Sequence, residues 1–321
     1  MTSHKPGVPI WAALIGSGLA GALVTVQARI NGGLSQELGN GYVTAFVSFG
    51  VGLVIMCLVM LFSRRGRAGF ALIRREVRSG HLPMWALGGG AFGAFYVLTQ
   101  GLVATVLGLA LFTVGIVAGQ VLGGLLMDRI GVGPGGRVAP TVPRIAGASL
   151  AIVAVVLSVL SDLTNPDGHA ATIWLVLVPV LAGLGISFQS AVNGLVRAAA
   201  QSTISSTFLN FVTGTSVLLV VAAVSVAVQG WPEAWPTAPW YYTGGAIGCV
   251  FIALAAMLVR TAGVLLLSMS NVAGQLVASV AFEAGLPLTG GLTIGLTVGA
   301  AVALLAVAIG ALPGRKGRGR A

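Results

Sequence analysis

Amide side chains recur in this chain at helical spacing. Gln27 and Asn31 stand four residues apart, as do Gln189 and Asn193, and as do the polar residues Tyr96 and Gln100. Gln275 follows Asn271 by four and Ser268 by seven, and Gln120 stands in a comparable apolar run. Residues four apart on a helix share a face. An amide both donates and accepts hydrogen bonds, so amides facing a common space suit the binding of a polar solute, and the Tyr96 ring suits an amine through cation–π attraction. The same groups can instead bond helix to helix, at about 0.6–2 kcal/mol each. For Gln120 and Gln275 the two readings balance. For Gln27, Asn31, Gln189 and Asn193 interhelical bonding or helix termination weighs more, and for Tyr96 core packing does. Nothing suggests catalysis. His4, His81 and His169 are scattered, and Cys57 and Cys249 lie in separate apolar runs, so neither an enzyme nor a metal or other cofactor is expected.

The elements that hold these residues are set by composition. Of 321 residues, 56% are hydrophobic and 7% charged, with a mean hydropathy of +0.99. A soluble domain carries roughly a quarter charged residues, so most of this surface faces lipid. About 20 apolar residues cross the hydrocarbon as a helix. The qualifying runs are 10–28, 42–62, 83–103, 109–127, 145–161, 172–190, 204–226, 240–259, 264–282 and 289–312, and no charged residue falls inside any of them. With the N-terminus in the cytoplasm, alternation leaves Arg29 as the one basic residue of 17 on the outer side. That is the positive-inside bias in strong form. The net charge of +10 therefore reports topology and not a nucleic-acid partner. The arginine-rich segment 64–78 is read as an orientation signal beside anionic lipid. The tryptophans stand at span ends or in loops, as interfacial belts require.

An internal repeat organises the runs. Gln27-x-x-x-Asn31-Gly32 returns as Gln189-x-x-x-Asn193-Gly194, a shift of 162 that also carries Phe46, Phe49 and Gly52 onto Phe208, Phe211 and Gly214. After a shorter loop the shift becomes 155. Gly89-Gly90 then matches Gly244-Gly245, Val117-Ala118-Gly119-Gln120 matches Val272-Ala273-Gly274-Gln275, and Asp128 matches Glu283. Five spans per copy is an odd number, so the second copy enters from the opposite side. The expected fold is all-α, ten transmembrane helices in two inverted five-helix repeats, residues 1–163 and 164–321. Inverted repeats suit a cavity that opens alternately to either side. Asp128 and Glu283, at opposite edges of matched helices, are candidates for coupling or gating. The glycine stripes, among them Gly115, Gly119 and Gly123, are read as close helix packing.

Gln-x-x-x-Asn near the end of the first span, the glycine-rich third span and Ala-Gly-Gln…Asp in the fourth resemble the YdcZ-type family of the drug/metabolite transporter superfamily. Its usual members resemble one half of this chain, and this sequence is similar to a fused pair. The resemblance implies an inner-membrane exporter of small molecules, with no substrate attached to that expectation. Together these readings predict a multi-pass protein with both termini cytoplasmic, moving small metabolites or drugs, with or without proton coupling. The absence of a buried carboxylate leaves an uncoupled facilitator open, and a non-transporting scaffold is the remaining alternative. The expected partners are the lipid bilayer and a small-molecule substrate. Two halves in one chain allow a working monomer and leave a dimer open.

Overall fold

A computed structural model describes residues 8–139, 141–163, 175, 177–285 and 294–312, a few of them by backbone alone. Among the described residues every regular element is helical: α1 (Ile10–Leu38), α2 (Gly41–Phe62), α3 (Arg64–Arg78), α4 (Gly89–Leu102), α5 (Ala104–Ile130), α6 (Val142–Leu163), α7 (Leu177–Ala200), α8 (Thr203–Gln229), α9 (Gly244–Gly285) and α10 (Ile294–Gly310). Short 3-10 turns, Met84–Gly88 and Pro239–Tyr242, lead into α4 and α9. By length and composition α1, α2, α7, α8 and the stretch Pro239–Phe282 are each able to cross a membrane.

Local chemistry sets the boundaries. Gly39 ends α1 in a left-handed conformation (φ 61°) that costs a side chain but not glycine. Asn40 then starts α2, its Oδ1 accepting from the backbone N–H groups of Tyr42 and Val43 at 3.1 Å. Ser202, the repeat counterpart of Asn40, caps α8 through the Ser205 N–H. Within α9 the chain leaves helical geometry at Gly263 (φ 75°, ψ 169°), dividing it where two separate runs are expected. Helix α1 continues ten residues past its expected end and α7 likewise. Gln27, Asn31, Gln189 and Asn193 therefore lie within helices and terminate none.

Packing inverts the pattern of a soluble protein. Leu19, Val54, Leu58, Leu61, Phe62, Val220 and Val224 are exposed, whereas Gln27, Asn31, Gln100, Gln120, Gln189, Asn193, Asn210 and Gln275 are buried. An apolar exterior, with the uncharged polar side chains confined among the apolar residues of the interior, is what a hydrocarbon solvent selects.

The contacts between the halves are exchanged in kind. Helix α1 packs on α9 and its counterpart α7 on α5 and α4; α2 meets α9 as α8 meets α4; α2 packs on α8, and α6 on α10. Single residues obey the same exchange. A methyl on Gly90 would overlap the Asn210 carbonyl, and one on Gly245 the Ser48 carbonyl. One on Gly52 would strike the Phe211 ring, and one on Gly214 the Phe49 ring.

Candidate functional site

Where α1, α2, α4, α7, α8 and α9 meet lies a small cavity of about 20 Å³. Its walls are built from exchange pairs: Gln27 with Gln189, Phe49 with Phe211, Gly93 with Gly248, Tyr96 with Phe251, and Val97 with Ile252. Ser48, Ile186 and Gly245 complete it. The void is narrow, dissected by these side chains until little more than about one water-sized sphere fits. A second crevice of about 10 Å³ shares Tyr96 and adds Val24, Thr25, Ala28, Phe112, Thr113, Ile116 and Gln275. The cavity expected from the repeat is represented here by two tight crevices. Among the described residues no acid, arginine, lysine or histidine lines either one.

Glycines seat the amides of the first cavity. Gly93 lies against the Gln189 Oε1 and Gly248 against the Gln27 Nε2, so any side chain at either position would displace the amide. Gln27 donates to the Gly244 carbonyl at 2.9 Å. Gln189, only 2% exposed, keeps its Oε1 without a hydrogen-bond partner, and so does the Ser48 hydroxyl. Both groups border the cavity. Orphaned buried polar atoms of this kind cost about 1–3 kcal/mol each; Asn31, Gln100, Asn210 and Asn271 carry one as well, and what sets Gln189 and Ser48 apart is the open space beside them.

The remaining amides bond to one another. Gln120 Oε1 accepts from Asn271 Nδ2 at 2.8 Å and stands 3.5 Å from Gln275 Nε2. Ser187 donates to the Gln120 carbonyl at 2.8 Å and meets Ser268 at 3.1 Å. Asn31 donates to Gln100 Oε1 at 2.9 Å, and Asn193 to Asn210 Oδ1 at 2.8 Å. The structure therefore brings Gln27, Gln189 and Tyr96 onto the first cavity and Gln275 onto the second. Gln120, Asn271, Gln100, Asn31 and Asn193 form interhelical bonds behind the walls. Sequence reasoning passed over Ser187, whose type is common in apolar helices, and aligned Gly244 with Gly89 and Phe251 with Tyr96 without reading either as a site residue. Phe49 and Phe211 carried a signal, since the repeat aligns them.

Asp128, 4% exposed, ends α5 against the break in α9. Its carboxylate accepts from the N–H groups of Val264 (2.7 Å) and Leu265 (3.2 Å) and from Arg144 (3.0 Å). It caps the second limb of α9 where the helix restarts after Gly263, using the positive end of that limb. Arg144, counted in the sequence as an orienting charge, is its ion partner. The Glu283 side chain lies outside the described residues.

Comparison with known proteins agrees with this architecture. No curated protein matches the chain. A solved crystal structure shares the fold over 93% of this chain and 95% of its own, with a TM-score of 0.62 and 16% identity. The sequence profile of the family described as "Putative inner membrane exporter, YdcZ" matches twice, over residues 12–157 and 174–312. Two matches in tandem embrace both halves of the apolar, helical chain, which belongs to this YdcZ family of inner-membrane proteins of the drug/metabolite transporter type.

Proposed function

We propose that this chain exports small metabolites or drugs by alternating access. In this reading ten transmembrane helices form two inverted five-helix repeats, residues 1–163 and 164–321, with both termini in the cytoplasm. The observation that carries it is the composition of the first cavity, in which ten of the thirteen lining residues form five pairs of repeat counterparts. A site on the exchange axis of two antiparallel bundles is equally near either face, and rocking one bundle against the other opens it to each side in turn. The tight crevices then correspond to an occluded state. The exchanged contacts between α1 and α9, and between α7 and α5, support the same symmetry.

Gln27, Gln189 and Tyr96 contact the solute in this account, Gln275 follows on the adjoining path, and the Gln120–Asn271 bond holds that path's wall. Asn31, Gln100 and Asn193 set the helices around the site and become accessible as it opens. Asp128 pins the α5–α9 junction as a gate, with Glu283 as its counterpart at the other edge. A solute panel run on purified protein in liposomes tests the function. Saturable flux of at least one solute, reduced by Gln189→Leu, supports it, and no flux for any member of a broad panel counts against it.

Proton antiport is one mode of energising such export, and uncoupled facilitation is the second reading. The uncharged lining of both crevices favours the second, because a carboxylate or histidine that trades a proton for solute is missing from their walls. Following external pH in weakly buffered vesicles during flux separates the two.

A further inference from the structure

Helix α3 follows the C-terminal end of α2 and is amphipathic in an unusual way. Its packing side is built from Gly66, Gly69 and Ile73, which are buried. Ser205 donates to the Gly66 carbonyl at 2.8 Å, and Phe70 meets Phe208 edge-on with centroids 5.5 Å apart. These contacts hold α3 flat against α7 and α8. Arg67, Ala71, Arg74 and Arg78 are spaced i, i+4, i+7 and i+11 and so form one stripe along the helix. Arg67 turns back to donate to the carbonyls of Met60 and Leu61 at the end of α2. Arg74 and Arg78 enter no ion pair among the described residues.

Between them lies an open groove of about 480 Å³, lined by Ala71, Arg74, Arg75, Arg78 and Ser79. Ala71, exposed and small, leaves room that a longer side chain would occupy. The apolar residues at either end of α3 fix its depth in the bilayer. Leu61 and Phe62 before it are 66% and 86% exposed, and Met84 and Trp85 after it are 74% and 53% exposed. A strongly exposed apolar rim carrying a Trp belongs at the interface, so the groove lies at the level of lipid headgroups.

We infer that this groove binds the phosphate headgroup of an anionic phospholipid, with Arg74 and Arg78 as the principal ligands and Arg75 as the third. Guanidinium groups suit phosphate oxygens through paired N–H donors. The negative end of the α3 dipole opposes an anion there, and Glu76 neutralises part of Arg75 at 3.2 Å, but the free charges of Arg74 and Arg78 outweigh both. A zwitterionic headgroup brings its own cation into the groove and loses this advantage. The site is independent of the transport cavity and stands whether or not export is proton-coupled.

The test uses the full chain in detergent with phosphatidylglycerol, phosphatidylcholine or inorganic phosphate added, reading thermal midpoint and lipid retention by native mass spectrometry. Phosphatidylglycerol should raise the midpoint and remain bound, phosphatidylcholine should do neither, and inorganic phosphate should have no effect at millimolar concentration. The pair Arg74→Gln with Arg78→Gln should weaken phosphatidylglycerol binding by about tenfold or more, and Ala71→Leu, which keeps every charge, should weaken it by narrowing the groove. Equal retention of phosphatidylglycerol in wild type and both variants overturns the inference, as does a midpoint shift with inorganic phosphate matching that with lipid.

Discussion

Phe49 and Phe211 occupy the same position in the two repeats and touch each other, with ring centroids 5.2 Å apart and planes inclined at 49°. A residue meets its own copy only at a symmetry axis or very near it. Each ring also fills the hollow left by the other half's glycine, Phe211 over Gly52 and Phe49 over Gly214. The cavity opens beside this pair, and both rings line it.

Equivalent glycines should fail equivalently. A methyl on Gly90 or Gly245 meets a backbone carbonyl, of Asn210 and Ser48 respectively, and neither carbonyl can move without shifting its helix. Gly90→Ala and Gly245→Ala should each cost about 1–3 kcal/mol, seen as matched drops in thermal midpoint of the detergent-solubilised protein. Tolerance at one site with unfolding at the other contradicts the exchanged packing.

The two cavity glutamines should separate stability from transport. Gln27 holds the Gly244 carbonyl, so Gln27→Leu should cost about 1 kcal/mol. Gln189 leaves its acceptor orphaned, so Gln189→Leu should leave the melting midpoint unchanged or raise it while cutting flux severalfold. Full flux in Gln189→Leu removes this residue from the solute path.

On the far side of Tyr96 the expectation runs by bond length. Gln120 is the acceptor for Asn271 at 2.8 Å, so Gln120→Leu strands a buried donor and should destabilise by about 1–3 kcal/mol. The contact of Gln275 with Gln120 is long, 3.5 Å, and its side chain borders the second crevice. Gln275→Leu should therefore fold with a loss of under about 1 kcal/mol and show its defect in flux.

Asp128 and Arg144 form a pair with little exposure, 5% and 17% at the side chains. Breaking such a pair from one side costs about 3–5 kcal/mol, and the carboxylate here also caps a helix. Asp128→Ala should be the more damaging substitution, Arg144→Gln the milder. A double-mutant cycle on thermal unfolding should give a coupling of about 1–3 kcal/mol. Additive effects show that the two side chains do not act together.

The apolar helices and their places in the chain were legible because hydrocarbon imposes a strict rule on composition. Helices α2 and α8 start one residue before the apolar runs 42–62 and 204–226, and the break in α9 at Gly263 falls between the runs 240–259 and 264–282. The roles of the amides were not legible. Gln27 and Gln189 have the spacing of helix glue, yet Gly93 and Gly248 on other helices turn them toward a cavity. Gln120 has the depth of a cavity residue, yet Asn271 and Ser187 engage it. Spacing on one helix fixes a face, and only the neighbouring helix decides whether that face meets a void, a partner or a carbonyl. The Asp128 cap was hidden for the same reason, since its partners lie 136 and 137 residues away.

Inversion of the two bundles is tested most directly by the sidedness of equivalent loops. Ser79, between α3 and α4, and Glu233, between α8 and α9, lie in the connections that the repeat makes equivalent. Each is replaced singly by cysteine in a chain whose Cys57 and Cys249 have become alanine, then exposed to a membrane-impermeant maleimide in spheroplasts and in inside-out vesicles. Glu233→Cys should label only in spheroplasts and Ser79→Cys only in inside-out vesicles. Labelling of both from the same face would contradict the inversion.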